Sequence, residues 1–146
     1  CPHPRSEVPF YCAYNEKLVD HFYTTNRTEW QNSLSFGYTP KGIAGYIFAT
    51  EEASTVPLLR LFNPTQNDHF YTTKEGEAIF AVKIGWVREG IAGYIFDRQV
   101  CGSQPLFRLH QPTSVDNFYT VNWEERSDAI NLLGYLDQGV AGYILG

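Results

Sequence analysis

Three aspartates recur at a spacing of 48 residues, and each opens a nearly identical segment: Asp20-His21-Phe22-Tyr23-Thr24-Thr25, Asp68-His69-Phe70-Tyr71-Thr72-Thr73 and Asp116-Asn117-Phe118-Tyr119-Thr120-Val121. Arg60 and Arg108 repeat with the same spacing of 48, while Cys12 holds the corresponding place in the first copy. An arginine donates and a carboxylate accepts, so together they can read vicinal hydroxyls, and a nearby indole or phenol ring offers a sugar its stacking face. That chemistry selects Arg60, Asp68, His69 and Trp86 as ligand-binding candidates in the second copy. Arg108, Asp116 and Asn117 in the third copy, and Asp20 and His21 in the first, form weaker versions of the same site. Related sites on one molecule bind weakly singly and strongly together.

The same residues admit a structural role. If the loop 63–67 sets Phe62 opposite Asp68, then Arg60 and Asp68 become diagonal neighbours within reach of a salt bridge, and Arg108 can repeat this with Asp116. In that register His21 and His69 share a face with the strand leucines and read as core histidines, an assignment that a slip of one residue would reverse. The chain has no G-x-S-x-G elbow, no H-E-x-x-H and no phosphate loop, and its polar groups lie in three similar copies rather than converging on one centre. A non-enzymatic role is therefore expected, with a glycan hydrolase built from distant carboxylates as the lesser alternative. No H-x-x-x-H or C-x-x-C spacing is present, so neither metal nor cofactor is expected.

A second signature follows each aspartate segment: Gly42-Ile43-Ala44-Gly45-Tyr46-Ile47-Phe48, Gly90-Ile91-Ala92-Gly93-Tyr94-Ile95-Phe96 and Gly139-Val140-Ala141-Gly142-Tyr143-Ile144-Leu145. One domain, residues 1–146, thus holds repeats at 8–48, 56–96 and 104–145. A unit this small cannot bury its own apolar face and must pack against its copies. In the second repeat, Pro57 to Phe62 reads as a strand, the turn formers of 63–67 return the chain, and Asp68 to Thr72 forms the second strand. Thr73 is the helix N-cap candidate for the stretch Lys74 to Lys83, and Gly85 ends it. Asn122 with Glu125 has the form of a capping box in the third repeat. A second hairpin turning on Glu89-Gly90 is expected after each helix, with Gly93 marking a bulge or a close backbone approach. The fold class is mainly β with three short helices (α+β), about twelve short strands in a closed pseudo-threefold arrangement, trefoil-like or three-bladed and propeller-like. The tyrosines of both signatures are expected in the core.

These motifs resemble a repeat family of uncharacterised function found in secreted fungal and bacterial proteins, sometimes attached to hydrolases. The resemblance covers residues 8–145 and implies an extracellular protein with an accessory or lectin-like role. Composition agrees with a folded chain rich in rings, since 43% of residues are hydrophobic and 16% aromatic. A formal charge of −5 argues against nucleic acid or an anionic membrane as partner. No apolar run approaches the roughly 18 residues of a membrane span. The chain has no methionine and begins Cys1-Pro2-His3-Pro4, so removal of an upstream secretory signal is expected, and Asn26-Arg27-Thr28 is an N-glycosylation acceptor fitting that compartment. Among the three cysteines, Cys1–Cys101 is the favoured pair, bracing the N-terminal arm against the segment before the third repeat, and Cys1–Cys12 is the competing choice. The expectation for function is a secreted lectin binding glycans or cell-wall polysaccharide, against a secreted inhibitor or defence protein acting on a protein target.

Overall fold

The computed structural model describes residues 1–3 and 5–146. Each repeat begins with a tight hairpin: β1 (Glu7–Asn15) with β2 (Asp20–Thr24), β4 (Thr55–Asn63) with β5 (Asp68–Thr72), and β7 (Gln104–Gln111) with β8 (Asp116–Thr120). The last residue of the first strand starts each turn. The Asn63 side-chain oxygen accepts from the N–H groups of Thr65 and Gln66 at 3.0 and 3.2 Å, and Asn15 accepts from Leu18 at 2.9 Å. Asn63 therefore belongs to the strand and pairs with Asp68, which leaves Phe62 opposite His69 and Arg60 opposite Tyr71. The register that would join Arg60 to Asp68 is displaced by one residue, so that ion pair does not form.

A helix follows each hairpin: α1 (Arg27–Leu34), α2 (Glu75–Lys83) and α3 (Trp123–Leu132). Asn26 and Asn122 cap α1 and α3, each accepting from a glutamate N–H three residues on at 3.0 Å. The Glu125 side chain turns to Thr120 rather than back to the cap, so the capping box is only half made. The N-cap of α2 is Lys74, not Thr73, and it has no side-chain cap bond.

The expected second hairpin is absent. Single long strands, β3 (Thr39–Phe48), β6 (Val87–Phe96) and β9 (Leu136–Ile144), run back along the first strand of each unit. Gly90, at φ 94°, does not turn the chain but sits in one of two register shifts between β4 and β6. A glycine in this left-handed conformation absorbs an extra residue as a bulge. This reduces the strands among the described residues from the expected twelve to nine.

Those nine strands form one sheet in the order β2-β1-β3-β6-β9-β7-β8, with β4 joined to β5 and β6 off that path. The strands at its two ends, β2 and β8, do not pair with each other, so the sheet neither closes nor curls into a barrel. The pseudo-threefold trefoil or propeller arrangement anticipated from the repeats is therefore overturned. Its physical cause lies in narrow joints, since β3 meets β6 at Phe48–Tyr94, β6 meets β9 at Phe96–Tyr143, and Tyr46 of β3 meets Leu145, just beyond β9, in an isolated bridge, one register pair each and too few to make a continuous barrel wall. The joints need close backbones. A Cβ on Gly93 would stand 2.5 Å from Ile47 Cδ1 and 3.0 Å from the Phe48 carbonyl oxygen.

The core beneath contains Phe10, Leu58, Leu106, Ile47, Ile95 and Ile144, with Tyr23, Tyr71 and Tyr119 at its centre. The three phenol rings meet edge to face with centroids 5.4 to 5.6 Å apart, an arrangement worth about 0.5–1.5 kcal/mol per pair beyond burial. A disulfide joins Cys1 to Cys101 with Cα atoms 5.6 Å apart, and Cys12 is free and buried. None of the helices among the described residues is long and apolar enough to cross a membrane.

Candidate functional site

The first residues of β2, β5 and β8 converge. Asp20, Asp68 and Asp116 are fully buried, and one carboxylate oxygen from each lies within 4.8 Å of the others. Burying carboxylates is costly unless each finds donors. Asp20 finds them in the next repeat: the His69 N–H donates at 2.9 Å, His69 Nδ1 stands 2.7 Å from Oδ2, and the Tyr38 hydroxyl donates at 2.5 Å. Asp116 is served likewise by the N–H and ring of His21 and by the Tyr135 hydroxyl. Asp68 is poorer, because Asn117 replaces the histidine and Trp86 stands where the other repeats carry tyrosine. Its Oδ2 accepts from Asn117 Nδ2 at 2.7 Å, and its Oδ1 is buried without a hydrogen bond.

The consequence is electrostatic. Burial, then the charges of Asp20 and Asp116, push the Asp68 carboxyl up to about 8. Burial works against a charged His69, but its bonds to Asp20 and Glu89 outweigh this and raise it to about 9. The carboxylates are close enough to share a hard cation, and the His69 charge together with the backbone N–H and phenol donors already supplies part of what such an ion would bring.

Around this interior, arginine and glutamate join neighbouring repeats. The Arg60 guanidinium makes two hydrogen bonds to Glu29, at 3.0 and 2.9 Å, and its centre lies 5.2 Å above the Phe22 ring. Its Nε is 3.0 Å from Glu89. Arg108 repeats the arrangement, 2.9 Å from Glu77 and 4.9 Å above Phe70. Thr24 and Thr120 hold Glu29 and Glu125 with hydroxyl bonds of 2.6 and 2.5 Å. The third junction has Glu125, Thr120 and Phe118 but Cys12 in place of the arginine, and a cavity of about 540 Å³ opens there. A shallower groove of about 350 Å³, bordered by Arg60, Glu29, Glu89, His69 and Phe36, lies at the first junction.

The family model "Domain of unknown function (DUF5648)" matches residues 9–145. The chain belongs to this family. No curated protein and no solved structure gives a significant match to it.

In this DUF5648 chain the predicted site residues divide into two sets. Asp20, Asp68, Asp116 and Asn117 are buried in the interior cluster and reach no groove. Trp86 packs on Phe70 with centroids 5.2 Å apart. Arg108 is committed to Glu77. Arg60 and His69 do border the groove, and His21 borders the cavity. Asn26 is exposed, with its side-chain oxygen used as the α1 cap. The glutamates were missed, although Glu29, Glu77 and Glu125 recur at the same spacing of 48 as the aspartates and were legible on that ground.

Proposed function

We propose that the protein is a secreted, non-enzymatic carbohydrate-binding module whose ligand occupies the groove formed by Arg60, Glu29, Glu89, His69 and Phe36. The observation that supports this reading is an ion-paired polar array beside an open ring. Arg60 is fixed between two carboxylates, and Phe36 is 77% exposed at the groove's edge. Polar groups already held in place read hydroxyls at low entropic cost, while an exposed ring supplies the stacking face.

A binding role suits these carboxylates better than catalysis. Glu89 is held below its ordinary value by His69, and Glu29 is held low by Arg60 and Thr24 although burial opposes it. Both stay ionised near neutral pH, and neither is suited to act as a general acid on a glycosidic oxygen. Asp68, whose carboxyl is raised, is sealed from any substrate. The Cys1–Cys101 disulfide supports an extracellular setting, since such bonds persist in oxidising compartments.

A glycan array including fungal and bacterial cell-wall polysaccharides tests the reading. A consistent set of bound glycans, lost in Phe36→Ala at unchanged melting temperature, is the expected result. A blank array would favour a protein target, to which the exposed Phe80, Ile84, Leu132 and Leu133 also lend themselves.

A further inference from the structure

At the two complete junctions the same frame is seen with its occupant: a glutamate oriented by or adjoining a threonine, a phenylalanine ring beneath, and a guanidinium between them. At the third junction the frame is intact. Cys12 pairs with Tyr23 in the register in which Arg60 pairs with Tyr71 and Arg108 with Tyr119, so the strand places the shorter cysteine where the other two junctions have arginine. Thr120 still holds the Glu125 carboxylate, and Phe118 still packs on a histidine, His21, at 4.6 Å. Among the described residues no cation stands within salt-bridge distance of Glu125. Lys41, on the cavity wall, directs its ammonium over the Tyr14 ring, 6.0 Å from the centroid.

We propose that the cavity beside Cys12 is a receptor site for an alkylguanidinium cation, supplied either by a free small molecule of the arginine type or by an arginine side chain of a partner protein. Two features of the frame set the preference. The carboxylate accepts the paired N–H groups of a planar fork, which an ammonium cannot present, and the ring beneath favours a flat cation. Lys41 replaces Glu89 of the first junction, so the site offers one carboxylate and, beside it, an ammonium suited to an acidic group on the ligand. This site lies at a different junction from the groove assigned to carbohydrate and stands or falls independently of it.

The test is a titration of the intact, disulfide-bonded protein followed by NMR, with methylguanidinium and methylammonium as probes. Saturable one-site binding of methylguanidinium, at least tenfold tighter than methylammonium, is expected, with shifts at Glu125 and Phe118. Glu125→Gln, a change at an exposed side chain, should weaken it at least tenfold. Cys12→Arg should abolish it by seating the chain's own guanidinium, and should raise the melting temperature. Free L-arginine and blocked N-acetyl-arginine-N-methylamide then separate the sources. Preference for the free amino acid, lost in Lys41→Ala, assigns a small molecule, and equal or tighter binding of the blocked residue assigns a partner's side chain. Absence of saturable binding, equal binding of methylammonium, or binding unchanged in Glu125→Gln would each overturn the proposal, even if Cys12→Arg failed to fold.

Discussion

The Tyr71 hydroxyl bonds both backbone groups of Tyr23, accepting from its N–H at 2.8 Å and donating to its carbonyl at 2.7 Å. One oxygen thus does for β2 what a neighbouring strand would do at that residue. Tyr119 serves Tyr71 in the same way, and Tyr23 serves Tyr119, so the bonds close into a cycle through the centre of the core. Tyr71→Phe keeps the ring but leaves the buried N–H and carbonyl of Tyr23, in two successive peptide groups, without their partner. Each orphaned group costs about 1–3 kcal/mol, so a loss of about 2–5 kcal/mol is expected in urea unfolding. A loss below about 1 kcal/mol would mean that water reaches the cycle.

Stability should fall as pH rises from about 4 to 9. In the folded protein the Asp68 carboxyl is raised from 3.8 to about 8 by burial and by its two neighbours, so the folded state keeps a proton that the unfolded chain has already released. That contribution is complete below pH 3.8 and disappears as pH climbs to about 8. His69, raised from 6.5 to about 9, acts in the same sense: its contribution is present below 6.5 and lost through about 9. Glu29 has the opposite sign, because its folded value is lowered and its contribution is lost in acid below its ordinary 4.5. Melting temperatures should therefore peak in mildly acidic solution. Asp68→Asn should flatten the alkaline side, and an unchanged slope in that variant would place the titration elsewhere.

Gly93→Ala should destabilise the joint between β3 and β6. The added methyl would fall 2.5 Å from Ile47 Cδ1 and 3.0 Å from a backbone oxygen, and only the first of these can move aside. Overpacking of this kind costs about 1–3 kcal/mol. Ile47→Val removes the nearer atom, so the double variant should recover part of the loss in a denaturation cycle. Strict additivity of the two changes would count against the contact.

Val19 and Val115 immediately precede the buried aspartates at φ 55° and 56°, and Asn67 takes the same place in the second hairpin at φ 52°. A β-branched residue is strained in this left-handed region, whereas asparagine tolerates it. Val115→Asn should accordingly gain about 1 kcal/mol. Thermal unfolding checks this, and a loss would show that the packing of the valine side chain outweighs its strain.

Much of the framework was readable in the repeats. Helix positions followed from Gly85 and Gly134, and the Cys1–Cys101 pairing followed from the placement of those cysteines before repeats. Glycine 93 was readable as a close approach. Gly90 was misread because a glycine at positive φ can turn a chain or bulge a strand, and local sequence does not distinguish the two. The Arg60–Asp68 pair failed on a single residue of register, set by the turn that Asn63 makes with its own side chain. Open or closed sheet geometry depends on how long strands meet at their ends, and here they meet in single pairs such as Phe48–Tyr94 that no local pattern announces. The aspartates misled for a related reason. Asp20 and Asp68 find partners 49 residues on in the next repeat and Asp116 finds His21, 95 residues back in the first, not across their own hairpins, and nothing in the linear pattern separates a cluster formed between units from one formed within them.

The Cys1–Cys101 bond has a further effect on how the molecule withstands a protease. It encloses everything from the first residue to the start of the third repeat in one covalent ring, with a sequence separation of 100. A protease that cuts an exposed loop in that span, at Thr50 or Pro64 for example, nicks the ring without releasing a fragment. Both halves stay tethered and able to re-pair their strands, so digestion there should be visible on a gel only after reduction.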